Sequence, residues 1–417
     1  MNDFAASRDR FPALSRLVDG RPAVYLDGPG GTQVPDSVIA AISGYLRAGG
    51  SNHDGPFVTS QYSDEITEEA RKAMADLFNA SEPAEIAFGQ NMTSLTLSVS
   101  RAISHTWRSG DEVVVTRLDH DANVWPWVIA AREQDVTVRF ADFDPATGVL
   151  SPDAVRAVIT DRTRLVAVSH ASNALGSIVD VAEVTAAAHE VGALAYVDAV
   201  HYTPHGIVDV QAVDADFLVA SAYKFFGPHT GVLYGKRQWL ESIEAVKIRP
   251  APADPPGKWE TGTQSFESLA GVTAAVDYLA SLGTGSGRRE ALESGMGAIA
   301  TYEQGLSARF LAGVAETPGI GLFGVPSPDG RTPTFAVSVA GVAPDEVAAM
   351  LGAIGIFVWS GHYYAVEVMT RLGVIDDGGL VRIGFVHYTT PEDVDLVIDA
   401  LAAIADGRPV AGINPAV

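Results

Sequence analysis

Residues 197–236, VDAVHYTPHGIVDVQAVDADFLVASAYKFFGPHTGVLYGK, decide how this chain reads. An apolar run ending at Asp198 is followed by a turn-rich segment, then by DFLVASA (216–222) and GVLYG (231–235). Lys224 stands just past the second of these runs. Short apolar runs bounded by turn residues read as strands covered on both faces.

Working outward, further strand-like runs occur at EIAFG (85–89), DEVVVT (111–116), VTVRF (136–140), RLVAVSH (164–170) and ALAYVDA (193–199). Ala-rich stretches with helical spacing, such as VAEVTAAAHEVG (181–192), separate them. The alternation predicts an α/β fold, with a large domain built on a mainly parallel sheet covered by helices. Polar residues then gather at the carboxyl ends of the strands, where open sheets of this kind bind ligands. Near residue 290 the texture changes. A long helical stretch (294–316) leads into TFAVSVAG (334–341), a helix at PDEVAAMLGAIG (344–355), FVWSGHYYA (357–365) and LVRIGFVHY (380–388). A last helix, PEDVDLVIDALAAIA (391–405), opens with Pro391 and acidic residues, as helix N-termini prefer. We therefore expect a large domain over 21–290 and a smaller α+β domain over 291–417, with residues 1–20 packing against the latter. TGSGRR (284–289) is the turn-rich boundary, and the tail from residue 407 is expected to be loosely held.

Composition narrows the function classes. A net charge of −23 argues against nucleic acid or an anionic membrane as partner, since both select for clustered Lys and Arg. The 417 residues contain no cysteine, which excludes disulfides, a Cys-based zinc site and any thiolate nucleophile. No stretch approaches a transmembrane span, and MNDFAASRDRFPALSRL lacks the apolar core of a secretory signal. A cytoplasmic enzyme is the expectation. Lysine is scarce: only Lys72, Lys224, Lys236, Lys247 and Lys258 can carry amine chemistry.

Parallel strands bring Asp198 and Lys224 to one crevice. A lysine and a carboxylate so placed suit pyridoxal 5′-phosphate. The amine condenses with the aldehyde as a Schiff base, and the acid keeps the ring nitrogen protonated so that the ring accepts electrons from the substrate α-carbon. Phe225 and Phe226 beside Lys224 would depress its pKa and favour the neutral amine. Taken alone, the pair also reads as an ordinary ion pair or as two distant surface groups. His201 and His205 are spaced like helical metal ligands, but Pro204 disfavours a helix there and no HExxH pattern exists, so no metal is expected.

The neighbouring motifs add a resemblance. YLDGPG, GQNMTSLTL, LDHDANVWPW, VSHASNALGSIVD, AYVDAVH, SAYKFFGP, WETGTQSFESLAGV and VRIG follow one another in the order found in the class V aminotransferase and cysteine desulfurase family of fold-type I pyridoxal phosphate enzymes. The resemblance spans nearly the whole chain. It implies that Lys224 carries the cofactor and that Asp198 pairs with its ring nitrogen. His120 would stack on the ring and shuttle protons. Met92 and Thr93 would meet the phosphate at a helix N-terminus, which favours anions, although a plain helix cap is the alternative for Thr93. Ser221 and Tyr223 would add phosphate contacts, His201 would lie near the phenolic oxygen, and Asn173 near both the phenolic oxygen and the substrate carboxylate. Gly262 and Thr263 would reach the phosphate across a homodimer interface. Arg382 would clamp the carboxylate of a small amino-acid substrate bidentately, a surface ion pair being its alternative.

The chain also departs from the family. His201 stands where desulfurases commonly carry glutamine, and Tyr223 where they carry histidine. Tyr364 follows the G-H-x stretch at the place of the persulfide-forming cysteine, and a phenol with a pKa of about 10 cannot hold sulfur that way. Trp359 stands where an arginine is usual, pointing to a different or bulkier substrate side chain; Tyr363 and Tyr364 either line that pocket or are core aromatics. The expected reaction is β-elimination by a carbon–sulfur lyase without a persulfide. Aminotransfer is the alternative, followed by epimerisation and by a non-catalytic protein that binds pyridoxal phosphate.

Overall fold

The computed structural model describes residues 4–410; the last seven residues of the expected loose tail lie outside the described residues. The seven strand-like runs form one sheet: β1 (Ile86–Gly89), β2 (Glu112–Thr116), β3 (Thr137–Ala141), β4 (Thr163–Ser169), β5 (Leu194–Asp198), β6 (Phe217–Ser221) and β7 (Gly231–Gly235). Their order is β1-β7-β6-β5-β4-β2-β3. The pairs from β3 through β6 are parallel, and β7 alone runs antiparallel to both its neighbours. The sheet is thus mainly parallel, as predicted. Strands β2, β5 and β6 are buried almost throughout, whereas the edge strand β3 is partly exposed. That edge is closed by charge: Glu112, almost fully buried, accepts hydrogen bonds from Arg139 at 2.5 and 2.8 Å and from Arg162 at 2.6 Å. These guanidinium contacts hold its carboxyl at about 2, below the usual carboxylate range.

Parallel register sets the site. Ser169 is the partner of Asp198, and Asp198 of Val219, so the carboxyl ends of β4, β5 and β6 finish close together. Lys224 follows in the short turn after β6. Helix α1 (Met92–Ser104) begins beside them, capped by Asn91, whose side chain accepts from the Ser94 amide at 2.9 Å.

The C-terminal half builds a second, antiparallel sheet of β8 (Ile320–Phe323), β9 (Thr334–Val339), β10 (Trp359–Gly361) and β11 (Leu380–Gly384), in the order β8-β9-β11-β10. Helices α2 (Arg288–Glu316) and α3 (Pro391–Ala405) pack with it through one apolar cluster containing Phe310, Phe335, Phe385, Val397 and Leu401. Thr390 and Asp393 cap α3 reciprocally, with Pro391 at its first turn as predicted. The N-terminal segment is woven into this half. Val24 and Tyr25 pair in parallel with Ile356 and Phe357, and Asp27 bridges to Gly384. Phe11 packs edge-on against Tyr278 and Tyr388, with ring centroids 5.4 and 5.0 Å away. No described helix is long and apolar enough to cross a membrane.

Pro29 is thereby pressed onto Gly384. A Cβ at Gly384 would meet Pro29 Cδ at 2.2 Å, so only glycine lets the two segments touch. Gly384→Ala is expected to destabilise the protein by roughly 1–3 kcal/mol through overpacking. A denaturant midpoint equal to that of the wild type would contradict this close approach.

Candidate active site

The strand ends floor a cavity of about 1060 Å³. Asp198 lies at its base, 5% exposed, with Oδ1 accepting from the Val200 amide at 2.9 Å. Burial raises its carboxyl to about 7; the nearby Asp119 adds to this and Lys224 opposes it. Asp119 is itself buried, accepting from Asn123 at 2.6 Å and from Ser169 at 2.8 Å, and burial lifts it to about 6.

Lys224 enters the same cavity from the turn after β6 and donates to the Pro29 carbonyl. Burial brings its amine down to about 7, helped by Arg382 and opposed by Asp198 and Asp27. An amine and an acid thus face one crevice, each with its charged form made costly by loss of water. Protons are easily exchanged under these conditions.

The α1 N-terminus forms one wall. The Met92 amide donates to Ser221 Oγ at 3.0 Å and the Ser94 amide is taken by Asn91, leaving the Thr93 amide without a protein partner among the described residues. Ser221 accepts that bond, so its own hydroxyl proton is available to an anion. Tyr223 lines the cavity beside Lys224, its ring stacked on His229 with centroids 4.7 Å apart. His120 lines the opposite part of the cavity. Its Nδ1 accepts from the Ala122 amide at 3.0 Å, and burial, with the charges of Lys224 and Arg382, brings it down to about 3. The imidazole is therefore neutral, with the proton assigned to Nε2. His201 is buried, held well below its ordinary pKa by the same desolvation, and its Nε2 meets Thr332 Oγ1 at 3.2 Å. His205 instead pairs with Glu303 at 2.8 Å.

Arg382, on β11, is 5% exposed and donates from Nη1 to the Asn173 carbonyl at 3.0 Å. Its Nε and the Asn173 Oδ1 are both buried and have no partner among the described residues. Two such groups cost about 1–3 kcal/mol each unless a ligand satisfies them. Asn173 Nδ2 donates to the Tyr363 carbonyl at 2.9 Å, and the Asp121 amide to the Tyr364 carbonyl at 2.7 Å. These bonds hold Tyr363 and Tyr364 at φ +53° and +57°, a left-handed conformation costing bulky residues about 1–3 kcal/mol each. Tyr363 is buried and Tyr364 exposed, and both line the cavity.

Every residue predicted for the site lines this cavity except Gly262 and Thr263, which are exposed in the segment after Trp259. Sequence reasoning passed over Asp27, Asp119 and Trp125. Asp27 has a buried oxygen with no partner, and burial raises its carboxyl to about 6 in the presence of Arg382 and Lys224. Its place in the YLDGPG motif was the available signal; Asp119 likewise sits one residue before His120.

The family model described as aminotransferase class-V matches residues 24–397. An uncharacterised protein of Mycobacterium tuberculosis is 33% identical over 405 residues, covering 96% of this chain and 99% of its own length. A cysteine desulfurase of an Enterobacter species is 32% identical over 412 residues, covering 95% and 97%. The apo structure of the cysteine desulfurase from Thermococcus onnurineus superposes with a TM-score of 0.86 at 28% identity, covering 95% of this chain and 99% of that one.

The site has a direct chemical readout. In cofactor-free protein, amine-selective acylation mapped by peptide mass spectrometry should modify Lys224 with a pH midpoint of about 7. An ordinary lysine titrates at about 10. Asp198→Asn should lower the midpoint further, because it removes a neighbouring negative charge that favours the ammonium. A midpoint like that of ordinary lysines would contradict the desolvated pair.

Proposed function

The chain belongs to the class V aminotransferase family of pyridoxal phosphate-dependent enzymes, and we propose that it catalyses β-elimination on a cysteine S-conjugate or similar amino acid without a persulfide. One observation carries this reading. The cavity joins a low-pKa lysine, a buried acid and an unsatisfied arginine in a protein with no cysteine. The donor set fits the cofactor: the free Thr93 amide and the Ser221 hydroxyl suit a phosphate, and Asp198 suits a ring N–H.

Bound at Lys224, pyridoxal phosphate supplies an electron sink at the substrate α-carbon. The remaining work belongs to the chain. Arg382 Nε would meet the substrate's carboxylate and Asn173 Oδ1 would accept from its amino group as it enters, which relieves their unpaired burial. Asp198, as its carboxylate, would keep the ring nitrogen protonated. The flat neutral imidazole of His120 would cover the ring, with His201 and Asn173 by the phenolic oxygen. Met92, Thr93, Ser221 and Tyr223 would hold the phosphate. Once the substrate's amino group has displaced it, the freed Lys224 Nζ, with a pKa of about 7, would take the α-proton. The Cβ–S bond then breaks with its electron pair on sulfur, which departs as a thiol after protonation. Hydrolysis of the remainder yields pyruvate and ammonium. No acceptor thiol is required. Gly262 and Thr263, exposed in one chain, complete the phosphate site from the second subunit of a homodimer.

The test is an assay of cofactor-loaded protein with S-substituted cysteines. Release of pyruvate and thiol in equal amounts is expected, with Lys224→Ala slower by about 10²–10⁴-fold. Arg382→Ala should raise KM by roughly 10–100-fold, the worth of a charge-assisted clamp. Conversion of the cofactor to its amine form by an amino donor, restored by a keto acid and with no thiol released, would overturn elimination in favour of aminotransfer.

A further inference from the structure

Resting on the reading of this cavity as an amino-acid site, we infer that its side-chain subsite selects an uncharged, aromatic-sized apolar group, with Trp359 as the residue that sets the preference. The first observation is positional. Trp359 on β10 is the cross-strand partner of Arg382 on β11. Directly opposed residues of an antiparallel pair project from the same face with Cβ atoms about 4.5–5.5 Å apart. A substrate whose carboxylate meets Arg382 therefore carries its side chain within reach of the indole. The indole is also fixed from behind, because a Cβ at Gly30 would meet Trp359 Nε1 at 2.3 Å, so glycine there leaves just the space the ring takes.

The second observation is what surrounds it. Trp125, Trp359 and Tyr364 line the cavity while 46%, 52% and 68% exposed. Tyr364 is held there in a left-handed conformation and stacks on His120 with centroids 5.6 Å apart and planes 25° from parallel. Exposed aromatic faces converging on one cavity gain most from covering an apolar ligand.

The third observation concerns charge. Among the lining residues the only Lys and Arg side chains are Lys224 and Arg382, both committed to the reacting end. Arg132 stays over the Trp125 ring at 5.0 Å and does not line the cavity. An acidic substrate side chain finds no cation of its own. Asp121 is the one lining carboxyl near the aromatic group, so a basic side chain meets at most one counter-charge there.

The experiment is a titration of cofactor-loaded protein, following the visible absorbance of the cofactor as L-phenylalanine, L-alanine, L-aspartate or L-lysine is added. Phenylalanine and alanine have no leaving group on Cβ, so the result does not depend on whether elimination is the reaction. Phenylalanine is expected to half-saturate at a concentration at least about tenfold below that of alanine, the worth of burying an aromatic side chain. Aspartate and lysine should be weaker than phenylalanine by a similar factor. In Trp359→Ala the phenylalanine-to-alanine ratio should collapse toward unity, and Tyr364→Ala should reduce it independently. Equal half-saturation by phenylalanine and alanine in the wild type, a preference for either charged amino acid, or an unchanged ratio in Trp359→Ala would overturn the inference. If no amino acid perturbs the absorbance, the reading of the cavity as an amino-acid site fails first.

Discussion

Burial strips water from the Lys224 amine and the Asp198 carboxyl together. Lys224 and Asp198 sit at the ends of adjacent strands in a crevice where burial lowers the amine to about 7 and raises the acid to about 7. No direct ion pair between them is present among the described residues. A buried charge left unmatched costs several kcal/mol. Each group is consequently poised for an external partner: the amine for an electrophile, the acid for a ring N–H. Phe225 and Phe226, next to Lys224 in the chain, are fully buried in the core behind it and do not line the cavity.

The second half of the molecule closes this crevice. β11 brings Arg382 to the cavity, and its neighbour β10 brings Trp359 beside it. The N-terminal segment is the connector. Paired with residues 356–357 and bridged to Gly384, it carries Pro29 to the Lys224 amine and Asp27 into the field of both cations. Among the described residues, three buried polar atoms without a partner, on Asp27, Asn173 and Arg382, lie where the two halves meet. Such atoms are rare in protein interiors and mark a place where a bound molecule is part of the polar network.

Much of this was legible in the sequence, for physical reasons. Six strands of the large sheet could be read because strands covered on both faces are short continuous apolar runs, and the partly exposed edge strand β3 by its alternating Val-Thr-Val-Arg-Phe run. The chemistry of Asp198 and Lys224 could be read because parallel topology puts strand ends together. Other features depended on contacts distant in sequence. Asp27 lies in a short motif whose carboxyl becomes notable only when Gly384 and Arg382 arrive from more than 350 residues away. Trp125 looks like any helix-start aromatic until its exposure inside the cavity is seen. The antiparallel course of β7 was also hidden, since an apolar run does not reveal strand direction. Gly262 and Thr263 show the limit of a single chain: they are exposed, and the role assigned to them requires a second copy.

The central claim is that one lysine among five holds the cofactor in this crevice. Its most direct measurement is borohydride reduction of the cofactor-loaded protein, followed by digestion and mass mapping of the modified peptide. The expected result is a single stoichiometric adduct on the peptide containing Lys224. An adduct on Lys72, Lys236, Lys247 or Lys258, or none at any lysine, would contradict the account.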